Sequence, residues 1–223
     1  MTVNGSSPRT LVAALAVAAT MLVVANVDLT FADGPALKLR ATVIGSGAPV
    51  AAMTIELFRW STDAERTPVL LALTAPPPPP PGASAPAGRA GRAGRAGRAA
   101  APPPSPLERL TTAIKAAPTV GFIWADGPTG YSIKYAWRSA APNTPERVVL
   151  VTDRRLGANA PSWPPASAAA AGAEFTVVEM RLDGKGLGEA KSSLTAPVVV
   201  DAGANTLALD KYTDAPVLLK VTR

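Results

Sequence analysis

Between Ala75 and Pro106 the chain runs through six consecutive prolines, four Gly-Arg-Ala triplets and then Pro102, Pro103, Pro104 and Pro106, a stretch that no helix or sheet accepts. Proline fixes φ and brings no N–H, so Pro76 to Pro81 reads as a stiff, solvated polyproline II rod. From Gly88 to Ala99 the only side chains larger than a methyl group are arginines, and burying methyl groups cannot offset the entropy of ordering that backbone. The tract from 75 to 105 is therefore expected to be a long disordered loop. Collagen is excluded, because four triplets without proline lack the length and the imino acids that a triple helix needs.

Everything else folds around this tract. The segment from Asp33 to Thr74 is too short to bury a core without disulfide or metal, and the chain has neither cysteine nor histidine to supply one. Its apolar faces need the residues beyond Pro106, so 33–223 is expected to be a single domain interrupted by the loop. Closure entropy grows only logarithmically with loop length, which makes such an interruption tolerable. Of the formal charge of +6, Arg89, Arg92, Arg95 and Arg98 supply four, leaving +2 on the remainder. The folded part is thus not basic enough to read as a specific nucleic-acid binder, and four cations on a loose chain attract phosphate or lipid only weakly.

The lack of Cys and His also removes thiolate nucleophiles, imidazole bases and the usual zinc and haem ligands. No cofactor is implied, and a non-enzymatic role is the leading expectation. Residues 1–32 read as a signal peptide: a polar start with Arg9, an apolar stretch from Leu11 to Ala25, and small residues at Thr30 and Ala32 for cleavage. A cut after Ala25, or retention as an anchor, is the alternative. No later segment is apolar enough to span a membrane, so no stable span remains after cleavage, and export to the periplasm or medium of a bacterium is expected.

Period-two alternation of Leu37, Leu39, Ala41 and Val43 with Lys38, Arg40 and Thr42 predicts a strand with one wet face, paired across a Gly/Pro turn with a second from about Ala52 to Trp60. Thr62 and Glu65 have capping-box spacing, which starts a helix that Pro68 either kinks or restarts. Ser105, Pro106 and Glu108 start a second helix, with Leu107, Leu110 and Ile114 on one face and Pro118 as its stop. Beyond lie strands at about 120–124, 131–138, 147–152, 175–182, 189–195, 198–200, 206–209 and 217–221. The predicted fold class is α+β: mainly antiparallel sheet of about eight or nine strands, closed as a barrel or folded as a sandwich, with an inserted helical pair carrying the loop. The interval 154–173 resists assignment.

Trp124, Tyr131, Tyr135 and Trp137 are the candidate ligand-binding residues. At period two, Tyr131, Ile133, Tyr135 and Trp137 would line one strand face, where aromatic rings with polar tips suit a sugar or another apolar ring, though such a stripe also suits a core. Asp183-Gly184-Lys185-Gly186 reads as a turn rather than a calcium loop. Glu179, out of phase with Val178 and Met180, is expected on a solvated face. A carboxylate-dependent hydrolase needs two acids facing one cleft, and no motif selects such a pair.

The Trp60-Ser61-Thr62-Asp63-Ala64-Glu65-Arg66 segment, with Ile44-Gly45-Ser46-Gly47-Ala48-Pro49, Ala117-Pro118-Thr119-Val120-Gly121 and Val151-Thr152-Asp153-Arg154, resembles small exported bacterial proteins of unassigned function. The resemblance covers the chain from about Leu37 onward, carries no catalytic residue, and implies that the two helices normally lie close together in sequence. The expected function is an exported, non-enzymatic envelope or secreted binding module, whose partner is an unknown small molecule or envelope component. The alternatives are a structural or interaction protein acting through its proline- and arginine-rich loop, and the carboxylate-dependent hydrolase.

Overall fold

A computed structural model describes residues 35–44, 52–76, 102–124, 130–142, 144–157 and 174–223. The expected signal peptide, residues 77–101 of the proline and Gly-Arg-Ala tract, and Trp163 with its surroundings lie outside the described residues. The elements in chain order are β1 (Leu37–Val43), β2 (Ala52–Leu57), α1 (Asp63–Thr74), α2 (Pro106–Ala116), β3 (Gly121–Trp124), β4 (Gly130–Ser139), β5 (Glu146–Thr152), β6 (Thr176–Leu182), β7 (Leu187–Ser192), β8 (Val198–Asp201), β9 (Thr206–Leu209) and β10 (Leu219–Thr222).

Eight strands close into an antiparallel barrel, β1-β10-β7-β6-β5-β4-β3-β2, which resolves the choice between barrel and sandwich. Each strand pairs with its chain neighbour apart from two insertions, the helical pair between β2 and β3 and the hairpin β8–β9 between β7 and β10. Strands on both sides of the proline tract therefore belong to one barrel. Inside it, Leu39, Ile55, Leu57, Ile123, Ile133, Leu150, Met180 and their neighbours fill the lumen as an apolar core. The outward face of β1 and β10 carries Lys38, Arg40 and Lys220, the reverse of the polarity of a lipid-facing barrel. Among the described residues no helix is long and apolar enough to cross a membrane.

The barrel has a covered half and an open half. The strands β5 and β6 are buried on both faces, because Val149, Val151 and Val177 point outward into a second cluster with Leu70, Leu110, Ile114, Phe175, Leu207 and Leu209 from the helices and the hairpin. By contrast β1 and β2 alternate buried and accessible residues along their length.

Both helices begin with the predicted capping boxes, Thr62 with Glu65 and Ser105 with Glu108. Helix α1 runs unbroken through Pro68, which forfeits one backbone bond but does not restart the helix. Arg109 closes the pair: its guanidinium donates to the carbonyls of Ala72, Ala75 and Pro104, binding the open C-terminal end of α1 and the chain just before α2 to one group. Arg66, buried, ties α1 to the β8–β9 turn through the Asn205 carbonyl at 2.8 Å and also pairs with Asp63. The turn accommodates Asn205 at a positive φ of 48°, a conformation asparagine tolerates well.

Candidate ligand-binding face

The four aromatic residues singled out in the sequence do not share a face. A register shift between Ile133 and Tyr135 puts a bulge into β4, and the alternation changes phase across it. Tyr131 and Ile133 point into the barrel core, whereas Tyr135 and Trp137 belong to the outer cluster beneath the insertions. The Tyr135 hydroxyl is buried against Thr206 Oγ1 at 2.7 Å, and Trp137 is partly buried with Arg147 lying 5.7 Å from its ring centroid. Tyr131 is held at the end of the barrel by Arg154, 5.5 Å from its ring centroid. The expected single stripe is thus corrected by one extra residue in the strand. Of the four, Trp124 is the most exposed, at 38%.

Trp124 has neighbours that the sequence reading passed over. On the open half of the barrel, Phe122 and Trp124 are the outward residues of β3, and Phe58 follows β2, its backbone N–H donating to the Val120 carbonyl at 2.9 Å. Phe58 and Phe122 meet edge to face with centroids 5.8 Å apart, and Phe122 and Trp124 lie 5.3 Å apart at a 34° tilt. Phe58 is 56% exposed. The signal that could have found them is the same period two that was applied to β4: Phe58 falls in phase with Thr54 and Glu56, and Phe122 out of phase with Ile123.

Why the column stands as it does is local. Gly130 is the register partner of Trp124, and the indole lies across it: a Cβ there would come within 2.7 Å of Trp124 Cζ3. The missing side chain makes a seat for the ring. On either side, register places polar groups. Thr54 is opposite Trp124, Glu56 and Ser132 flank Phe122, and Arg40 lies one strand beyond Thr54. Lys38 pairs with Glu56 at 2.6 Å, which neutralises the nearest acid. The face therefore offers three ring surfaces bordered by hydroxyls, one neutralised ion pair and Arg40.

Glu179, Asp201, Asp183 and Glu65 are engaged elsewhere. Glu179 is 1% exposed, not solvated as its phase implied, because the β8–β9 hairpin covers the outer face of β6. Its Oε1 accepts from Arg147 Nε at 2.8 Å and its Oε2 from the Leu209 N–H at 3.0 Å. Arg147 reaches on to Asp201 at 2.7 Å, and this bond, with one from the Ala204 N–H, holds the Asp201 carboxyl below its ordinary range. The trio fastens the hairpin to the barrel and leaves neither acid free to handle protons. Asp183 accepts from the N–H groups of Lys185 and Leu187 at 2.8 Å each, with Gly186 at φ +76°, which is a hairpin turn. Glu65 bonds both guanidinium nitrogens of Arg59 at 2.7 Å, and this contact above all draws its carboxyl down to about 2. Among the described residues no three acids cluster as a metal site.

No family model, no curated protein and no solved structure matches this chain. The functional reading rests on the geometry above.

Proposed function

We propose that the protein is an exported, non-enzymatic binding module that holds a glycan of the envelope or its surroundings on the Phe58, Phe122 and Trp124 column. The observation that carries the reading is three adjoining aromatic rings on the half of the barrel that neither helix nor hairpin covers. Aromatic rings take the C–H faces of a pyranose, and the bordering Thr54, Ser132 and Arg40 supply donors and acceptors for its hydroxyls. Two other occupants fit less well. At roughly 200 Å² per ring the three expose on the order of 250 Å², far below the ~800 Å² per partner of a stable protein interface. A nucleic acid needs a cationic track beside its stacking rings, and Lys38 is already paired with Glu56.

The test is retention of the full chain on purified peptidoglycan sacculi and on a panel of immobilised β-linked oligosaccharides. At least one should retain it, and the double variant Phe122→Ala, Trp124→Ala should lose that retention while its circular dichroism is unchanged. Retention unaffected by the double variant, or binding to single-stranded DNA or to protein partners alone, would exclude the reading. Export is tested separately: cleavage after Ala32 leaves Asp33 as the first residue of the secreted protein.

One observation favours the alternative of a protein acting through its loop. Arg109 binds the carbonyls of Ala75 and Pro104 at once, so the tract leaves and re-enters the fold at one point. Deletion of residues 78–101 should then abolish capture of a partner without lowering the melting temperature.

A further inference from the structure

On the covered half lies a cavity of about 360 Å³, in the size range of small-molecule sites. Its walls are Leu73 at the end of α1, Leu107 and Leu110 of α2, Phe175, Ala196 and Val198, and among the described residues no cation lines it. It borders the outer cluster rather than the barrel lumen, and none of its walls belongs to the aromatic column.

Two hydroxyls reach it. Ser105 is spent as the cap of α2: its oxygen accepts from the Glu108 N–H, and its own N–H donates to the Glu108 carboxylate at 2.6 Å. That bond keeps the Glu108 carboxyl below its ordinary range, so a negative charge stands one hydrogen bond away from the cavity wall and the N-terminal N–H groups of the helix are partly taken. The Arg109 guanidinium beside it is committed as well, to the carbonyls of Ala72, Ala75 and Pro104, so among the described residues an anionic head group finds no unshared donor at this helix end. Ser193 differs. Its oxygen accepts from the Val177 N–H at 3.0 Å, and among the described residues its hydroxyl proton meets no acceptor.

We infer that this cavity binds an uncharged apolar molecule carrying one hydrogen-bond acceptor, such as the alcohol or ester end of a hydrocarbon chain, with Ser193 donating to that acceptor. The site is independent of the glycan reading. It is tested with the full chain and N-phenyl-1-naphthylamine, an uncharged dye that brightens in apolar sites. Fluorescence should rise on binding, and 1-octanol should displace the dye at concentrations at least tenfold lower than octanoate. Ala196→Trp, which fills the cavity, should abolish the rise. Should that variant unfold, Leu107→Trp at the partly buried wall serves the same purpose, while Trp124→Ala should leave dye binding intact. No rise with the wild-type chain, equal displacement by octanol and octanoate, or insensitivity to a folded filling variant would overturn the inference. So would loss of dye binding in Trp124→Ala, or a rise seen only after residues 78–101 are deleted, which would give the cavity to the chain's own segment.

Discussion

The two halves of the barrel are built from the same strand geometry and differ in what covers their outer faces. In β5, with the sequence Glu-Arg-Val-Val-Leu-Val-Thr, apolar residues occupy both phases, so both faces are buried: Val148 and Leu150 fill the lumen, and Val149 and Val151 meet the helices and the hairpin. In β1, with Leu-Lys-Leu-Arg-Ala-Thr-Val, only one phase is apolar, and the other faces water. A strand covered on both sides loses the freedom to vary its outward residues, whereas an open strand can carry aromatic rings that contribute little to stability. The insertions thus divide the barrel: they turn the outer face of one half into packing and leave that of the other exposed.

If that division holds, substitutions on the covered half should unfold the protein and those on the open half should spare it. The largest effect is expected for Arg147→Ala, which leaves the buried Glu179 carboxylate with only the more distant Arg181 at 3.8 Å as a cationic partner; chemical denaturation should show a loss of about 3–5 kcal/mol. Next comes Leu150→Ala in the lumen, expected to cost about 2–5 kcal/mol by the same measurement, since the closed barrel cannot collapse onto the cavity.

A pH series sharpens the boundary between the halves, because Arg59 follows β2 on the open side and Glu65 opens α1 on the covered side. The folded-state carboxyl of Glu65 titrates at about 2, against an ordinary value of 4.5. Its stabilisation is therefore complete above about pH 4.5 and lost as pH falls from there toward 2. Thermal melts of Glu65→Gln should run below wild type at pH 6, with the gap closing across that window.

On the open half, Phe122→Ala and Trp124→Ala should each move stability by no more than about 1 kcal/mol. Each lost ring contact of about 0.5–1.5 kcal/mol should weaken glycan retention roughly two- to tenfold. Gly130→Ala should be the subtlest, displacing the indole without removing it, so that retention falls while the far-ultraviolet spectrum is unchanged.

How much of this was legible follows the same division. The alternation in β1, the capping boxes at Thr62 and Ser105 and the Asp183 turn are local signals, and each is realised where the pattern put it. What failed was any inference that needed to know what covers a face. Glu179 reads as solvated by phase, and only the apolar outward residues of β5 beside it, Val149 and Val151, hint that the outer face is covered. The bulge in β4 was not legible at all, because Tyr131-Ser132-Ile133-Lys134-Tyr135-Ala136-Trp137 alternates without a break in sequence and changes phase only in three dimensions. Of the proposed binding face, Trp124 was among the sequence candidates and Phe58 and Phe122 were not, since a stripe of three large residues on a longer strand drew the reading to β4, where the bulge splits them between the lumen and the covered face.

The most direct test is a paired measurement on wild type, Phe122→Ala/Trp124→Ala and Val149→Ala: calorimetric titration with the glycan that retains the wild-type chain, alongside the melting temperature of each. The account predicts that the open-face variant loses binding at least about fourfold with its melting temperature nearly unchanged, and that Val149→Ala melts lower with its affinity intact. Binding that survives loss of both rings, or that declines in step with melting temperature in both variants, would contradict it.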